Sequence, residues 1–329
     1  MSGNVDFESL NLCQPLLKAL DEIGYVTPTP IQEQAIPLLI EGNDMLGCAQ
    51  TGTGKTAAFS LPILDAMAED PWSGKPQIRV LMLCPTRELA SQIRDNIEEY
   101  ARHLDIRSMV MFGGVSQRPQ VKLLRQGVDI LIATPGRLLD LIGQGHVDLS
   151  YVQFLVLDEA DRMLDMGFIR DIRKILALIP EDRQSLLFSA TMPSSIVELS
   201  RDMLYEPVRV EVSPESSTVE AIEQSLMFVM KKDKRDLLTH LIRDENPEKV
   251  LVFSRTKHGC NRIVKQLAQD EIEALAIHGN KSQGAREKAL GRFREGSLQV
   301  LVATDVASRG IDVSDISHVI NLDLPNESE

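Results

Sequence analysis

Aromatic residues are scarce in this 329-residue chain, which holds one Trp, four Tyr and nine Phe. No apolar run approaches the roughly 20 residues that cross a bilayer. The start, "MSGNVDFESL", lacks the basic stretch followed by an apolar one that marks a secretory leader. A soluble, cytoplasmic protein is expected. Cysteine is also sparse: Cys13, Cys48, Cys84 and Cys260 lie far apart with no metal-type spacing, so they read as core thiols, not as ligands or bridges. Positive charge is in deficit, with 35 Lys and Arg against 48 Asp and Glu, a net −13. The deficit is uneven. Residues 1–217 hold 19 basic against 30 acidic side chains, a net −11, and residues 218–329 hold 16 against 18, a net −2. Such a balance argues against high-affinity nonspecific binding to a polyanion. It leaves room for a narrow groove lined by a few bases and backbone amides.

Short β-branched runs are plentiful, and they alternate with helical periodicity. "RVLML" (79–83), "VDILIA" (128–133), "FLVLD" (154–158) and "SLLFSA" (185–190) are too short and too evenly apolar for surface helices, and read as buried parallel strands. Amphipathic segments at 87–103 and 168–179 lie between them, a βαβ pattern in which helices cover both faces of a parallel sheet. The periodicity breaks at "VSPESSTVE" (212–220). It resumes with strands at 249–254, 273–278 and 298–304, helices at 259–269 and 283–294, and a final strand-like "SHVIN". The predicted organisation is two consecutive α/β domains: 1–212, a linker at 213–219, and 220–329.

Two stretches carry chemistry. In "AQTGTGKT" (49–56), Gly52 and Gly54 let the backbone curl so that its N–H groups face phosphate oxygens, and the following helix adds its positive end. Lys55 reaches the terminal phosphates in such a loop and Thr56 holds Mg²⁺, while Ala49 stands where the general pattern has Gly. In "FLVLDEADRM" (154–163), four apolar residues end on Asp158 at the carboxyl end of a strand, where doubly wound sheets bind ligands. Asp158 suits Mg²⁺ and Glu159 is placed to polarise an attacking water. Alone, Asp-Glu-Ala-Asp reads equally as the acidic first turn of a helix. Behind a phosphate loop it reads as the other half of an NTPase site.

The ordered set "AQTGTGKT", "PTRELA" (85–90), "TPGR" (134–137), "DEAD" (158–161), "SAT" (189–191), "LVFSRT" (251–256) and "VATDVASRGIDV" (302–313) resembles the DEAD-box RNA helicases, and its wording is similar to bacterial members of the RhlE-like type. "GYVTPTPIQ" (24–32), with Phe7 upstream, resembles that family's adenine-sensing element. The resemblance covers essentially the whole chain and implies two tandem RecA-like, doubly wound parallel-sheet domains, the second incomplete.

It also implies roles. Gln32 would bond the adenine edge, Tyr25 would stack on the ring and Phe7 would support the pocket. Ala49, Gln50, Thr51, Gly52, Thr53, Gly54, Lys55 and Thr56 would hold ATP with Mg²⁺ on Thr56 and Asp158, and Gly310 and Asp312 would reach the same ATP from the second domain. Catalysis would rest on Lys55, Asp158 and Glu159. Ser189 and Thr191 would bond toward Asp161, coupling hydrolysis to strand separation. Pro85, Thr86, Arg87, Gly113, Gly114, Thr134, Pro135, Gly136 and Arg137 would track RNA sugar and phosphate, joined by Arg255, Thr256, Gln283, Arg286, Thr304 and Asp305. Backbone and 2′-hydroxyl contacts of this kind select RNA with little regard to sequence.

Blander readings stand beside these. Arg87 and Arg137 sit at helix starts, Gly113-Gly114 reads equally as a turn, His278-Gly279 as a strand end, and "KKDKRD" (231–236) as a solvated helix start. The family's basic element His-Arg-x-Gly-Arg-x-x-Arg has no counterpart, since no His-Arg dipeptide occurs in these 329 residues. An arginine delivered to a phosphoryl-transfer site is worth roughly 10³ to 10⁵ in rate in the switch GTPases. The chain is therefore expected to end before that element, to bind ATP, and to hydrolyse it weakly without unwinding duplexes. A monomer is expected. A DNA-directed helicase of the same superfamily and a fragment that binds ATP and RNA without turnover are the alternatives.

Overall fold

A computed structural model describes residues 6–50, 52–212, 222–245, 247–304, 313 and 315–323. The chain divides into two compact units at Ala221/Ile222. The expected linker, 213–219, lies outside the described residues.

The first unit is one seven-stranded sheet in the order β3-β4-β2-β5-β6-β1-β7, parallel throughout. Its strands are β1 (Met45–Cys48), β2 (Val80–Leu83), β3 (Ser108–Met111), β4 (Ile130–Ala133), β5 (Phe154–Leu157), β6 (Gln184–Ser189) and β7 (Val208–Glu211). Alternation along each strand sends side chains to two separate cores. Val80, Met82, Ile130, Ile132, Val156, Leu186 and Phe188 pack beneath α1 (Gln14–Glu22), α2 (Pro30–Ile40), α3 (Lys55–Glu69) and α4 (Arg87–Tyr100). Their neighbours Leu81, Leu83, Leu131, Leu155, Leu157 and Leu187 pack on the other face. There they meet α6 (Pro135–Gly143), α7 (Ala160–Asp165), α8 (Ile169–Leu176) and α9 (Ser194–Met203), and α5 (Gln117–Gln126) leans on that core through Val121 and Leu124. Burial on both faces is why these strands read as unbroken apolar runs.

Each parallel strand returns through a helix, so every loop that leaves a carboxyl end lies on the same edge of the sheet. Across that edge the order is Gly113-Gly114 after β3, Thr134–Arg137 after β4, Pro85–Arg87 after β2, Asp158–Asp161 after β5, Ser189–Thr191 after β6 and the glycine-rich loop after β1.

The second unit has four parallel strands in the order β11-β8-β10-β9: β8 (Val250–Phe253), β9 (Ala274–Ile277), β10 (Val300–Ala303) and β11 (His318–Asn321). Val250, Val252, Val300 and Val302 pack with α10 (Lys234–Asp244) and α11 (Lys257–Gln269), and Leu251, Leu301 and Ala303 with α12 (Gln283–Arg294). Among the described residues β11 is an edge strand, and Val319 on it is 56% exposed. Among the described residues, too, no helix is long and apolar enough to cross a membrane.

Candidate nucleotide and RNA site

The glycine-rich loop starts where β1 passes under an aromatic ring. A Cβ at Gly47 would stand 2.5 Å from two carbons of Phe188, so only glycine admits the β6 side chain there. The Ala49 N–H then bonds the Ser189 carbonyl (3.1 Å), tying the loop's origin to β6. Gly52 and Gly54 take φ of +85° and +91°, the left-handed backbone that turns a strand into a helix within a few residues. Lys55 opens α3 almost buried and donates to the Ala49 carbonyl (2.7 Å), so its ammonium lies inside the loop's curl. Thr53 Oγ1 closes the curl on the Gln50 carbonyl (2.8 Å). Thr51 lies outside the described residues.

The element "GYVTPTPIQ" braces this loop. Thr29 precedes α2, and its N–H donates to Gln32 Oε1 (2.9 Å). The Thr29 hydroxyl donates to the Thr53 carbonyl (2.8 Å), and Gln32 Nε2 to the Gly54 carbonyl (3.1 Å). A Cβ at Gly54 would collide with both side chains. Gln32 therefore spends half its amide capacity on backbone, a role its motif did not announce, and keeps one N–H and one lone pair. Thr29 was missed; a Thr before Pro with Gln three residues on is the capping signal that would have found it. Phe7 and Tyr25 stack with ring centroids 6.2 Å apart, Phe7 buried and Tyr25 exposed.

The acidic segment leaves β5 nearly inaccessible. Burial pushes the Asp158 carboxyl up to about 6, opposed by the Lys55 charge and reinforced by Glu159. Glu159 sits at φ 54°, ψ 50°, a left-handed conformation unfavourable for a side chain by about 1 to 2 kcal/mol. The Glu159 N–H donates to Asp158 Oδ1 (2.9 Å), and its carboxylate takes both oxygens to Arg162 Nη1 (2.9 and 3.0 Å). Arg162, three residues on and on the same face of α7, was also missed.

Asp161 Oδ2 accepts from Thr191 N (2.9 Å), Thr191 Oγ1 (3.0 Å) and Ala190 N (3.2 Å). Thr191 thus reaches Asp161 as expected. Ser189 does not: it ends β6 with its side chain in the sheet, and its hydroxyl donates to the Thr191 carbonyl (2.7 Å). The expected Ser189–Asp161 bond is corrected to a brace on the Thr191 backbone. Mg²⁺ binds through one or two carboxylates plus substrate phosphates, with several waters. Asp158 and Thr56 supply the hard oxygens that suit it, and no cluster of three His, Cys, Asp or Glu fit for a metal occurs among the described residues.

On the other half of the edge, Thr86 caps α4 by accepting Leu89 N (3.3 Å), and Arg87 lies 6.0 Å over the Phe112 ring. A Cβ on Gly114, whose φ is +73°, would touch the Arg87 guanidinium. Arg137, on the first turn of α6 after Thr134, Pro135 and Gly136, donates to the Val115 carbonyl (3.1 Å), pairs with Asp140 (3.5 Å), and leaves Nη1 buried with no partner. The structure thus converges Pro85–Arg87 and Thr134–Arg137 on the 112–115 loop.

In the second unit the named residues also share one carboxyl edge. Thr256 caps α11 by accepting Gly259 N (3.0 Å), Gln283 opens α12 with Arg286 one turn on, and Thr304 follows β10. Asp323, which the sequence reading passed over, accepts from Ser254 Oγ (3.2 Å) and Arg255 N (3.3 Å). His278 is buried. Its Nδ1 accepts Asn280 N (3.3 Å), so the proton lies on Nε2, which donates to Asn261 Oδ1 (3.0 Å). Burial, and then the charges of Lys281 and Lys257, lower its pKa, which fits a neutral strand-end residue. Asp305, Gly310 and Asp312 lie outside the described residues.

Comparison with known proteins agrees with this geometry. The ATP-dependent RNA helicase CshA of Limosilactobacillus reuteri is 42% identical over 323 residues, covering 98% of this chain and 64% of that protein. The ATP-dependent RNA helicase DeaD of Escherichia coli K12 is 43% identical over 324 residues, covering 98% of this chain and 51% of that protein. The chain thus spans between half and two thirds of the length of these relatives, and its RhlE-like placement stays an expectation. S. cerevisiae Dbp5 bound to RNA and ADP BeF3 superposes with a TM-score of 0.86 at 32% identity, over 98% of this chain and 82% of Dbp5. The helicase conserved C-terminal domain profile matches residues 233–329, and the DEAD/DEAH box helicase profile matches residues 29–199. On sequence, fold and site alike, the chain belongs to the DEAD/DEAH box helicase family.

Proposed function

We propose that the chain is the two-domain core of an ATP-dependent RNA helicase, a cytoplasmic monomer in which MgATP and single-stranded RNA bind cooperatively and local duplex pairing is lost. One observation carries this reading. A single sheet edge sets the ATP-type loops, after β1, β6 and β5, beside the RNA-type loops, after β2, β4 and β3, and the Asp161–Thr191 bonds lie within the ATP half, between β5 and β6.

Roles follow from position. Lys55 and the loop amides hold the phosphates, Asp158 and Thr56 hold Mg²⁺, and Glu159, once released from Arg162, orients the attacking water. Phe7, Tyr25 and Gln32 select adenine, and Arg87, Arg137 and the 112–115 loop hold the RNA backbone. In the second unit Arg255, Thr256, Gln283, Arg286 and Thr304 are proposed to contact RNA in their own right. Because these 329 residues hold no His-Arg element, turnover by them is expected to be weak.

The decisive experiment titrates fluorescent single-stranded RNA with and without a non-hydrolysable ATP analogue. Linkage predicts mutual tightening, typically 5- to 150-fold in such couplings. RNA affinity indifferent to the nucleotide would refute the cooperative reading, and equal affinity for DNA of the same sequence would favour a DNA-directed helicase. Robust RNA-stimulated phosphate release by this chain would overturn the weak-turnover expectation.

A further inference from the structure

In a chain of net charge −13, the stretch between Asp105 and Asp129 carries Arg107, Arg118, Lys122 and Arg125 and no carboxylate. Three of these four lie on α5, at a spacing of four and then three residues, which puts them on one side of the helix. With Gln117, Val121, Gln126 and His146 they line a groove of about 490 Å³.

Several other arginines of the molecule sit beside an acid: Arg94 with Asp95, Arg102 with Glu22, Arg173 with Asp202, Arg235 with Asp270 and Arg292 with Glu273. Among the described residues Arg118, Lys122 and Arg125 make no such pair. What sets this face apart is that three cations share one side of a single helix with no acid among them, and like charges held together in this way are unfavourable.

The groove is also built. Gln117 and Gln144 exchange side-chain amide bonds (2.8 and 3.2 Å), pinning the start of α5 to the end of α6. On the inner side of α5, buried Gln120 donates to the Phe112 carbonyl (3.2 Å). The loop that feeds α5 is the 112–115 loop on which Arg87 and Arg137 converge. The basic face therefore begins at Arg118, just beyond that loop in the chain.

We propose that the α5 groove is an accessory phosphate-binding surface for RNA, contacting backbone that runs on past Gly113-Gly114. The proposal rests on the RNA-binding reading above and adds a surface outside its motifs. Such contacts carry no base information. They would lengthen the bound segment and steepen its salt dependence.

The test compares the wild type with the triple variant Arg118→Gln, Lys122→Gln, Arg125→Gln, whose fold is checked by circular dichroism and thermal melting. Both are titrated over a salt series with two single-stranded RNAs, one just long enough for the motif residues and one extended at both ends, and with polyglutamate as an acidic-peptide probe. Binding of the short RNA should be unchanged. For the long RNA the variant should lose on the order of tenfold in affinity at low salt, and the slope of log affinity against log salt should flatten by about 2, since each single-strand phosphate contact contributes roughly 0.7. An unchanged slope for the long RNA overturns the proposal, as does loss of polyglutamate binding with RNA binding intact, which would assign the groove to an acidic protein segment. Failure of the wild type to bind either RNA would instead sink the RNA reading on which the proposal stands. A single conservative change, Lys122→Arg, should retain the wild-type slope and so separates charge from fold damage.

Discussion

The two halves of the first sheet's carboxyl edge solve different problems. On the nucleotide half, charged groups are withdrawn from water, Lys55 among them, and two are held in unfavourable states: Asp158 with a raised pKa and Glu159 in a left-handed backbone. On the RNA half, Arg137 rests on the Val115 carbonyl and Arg87 lies over the Phe112 ring. The first half stores free energy that a ligand can release. The second holds its cations on contacts that are already made. Removing the Asp158 charge should therefore stabilise the protein, whereas disturbing the Gly114–Arg87 contact should destabilise it.

The largest expected effect tests whether the halves are separable. Lys55→Ala should lower MgATP affinity by about 10- to 100-fold, the worth of one charge-assisted hydrogen bond, in a fluorescent-nucleotide titration. Arg137→Ala should leave nucleotide affinity without RNA within about twofold by the same affinity scale. A comparable loss from both would break the comparison.

Next is the sign of stability. Asp158 has a folded pKa of about 6 against 3.8 for an ordinary aspartate. Folding thus favours its protonated form, and the penalty on the folded state grows as pH rises from about 4 to 6 and is full above that. Asp158→Asn should stabilise the nucleotide-free protein by about 2 to 3 kcal/mol at pH 7.5. The gain should fade on acidification through pH 5 and be gone near pH 3.5. Denaturant melts of the first transition at several pH values measure it, and an unchanged or lowered midpoint at pH 7.5 would show that Asp158 is not strained.

Gly114→Ala should go the other way. Its positive φ and the neighbouring guanidinium predict a loss of about 1 kcal/mol with RNA affinity reduced. The smallest effect is expected at the link: Thr191→Val removes one of the bonds on Asp161 Oδ2 and should cost about 1 kcal/mol or less. Its signature is a reduced ratio of RNA affinities with and without the ATP analogue, and an unaltered ratio would exclude Thr191 from the coupling.

Much of this was legible in the sequence, because buried parallel strands and sheet-edge loops follow local rules. "RVLML", "FLVLD" and "SLLFSA" lie within one residue of β2, β5 and β6, since a strand covered on both faces carries an unbroken apolar centre. The helix expected at 259–269 begins at Lys257, because Thr256 caps it, and the one expected to reach residue 103 stops at Tyr100. Strand β3, "SMVM", went unread: it is short, lies at the sheet edge, and is half-buried on alternate residues. Within the site, residue types and spacing placed each loop on the correct edge. They could not show which way a side chain turns. Ser189 faces the sheet by the pleat of β6, Gln32 turns to the Gly54 carbonyl, and Asp323 acts through a contact 69 residues away in sequence.

The left-handed backbone at Glu159 has a consequence for protein engineering. Glycine fits that conformation without strain, and asparagine tolerates it better than glutamate does. A library of variants screened for heat resistance alone would therefore tend to discard the carboxylate at this position among its first improvements. The survivors would be sturdier but without the carboxylate proposed above to orient water, so any selection for thermostability in this scaffold needs a nucleotide-dependent readout alongside it.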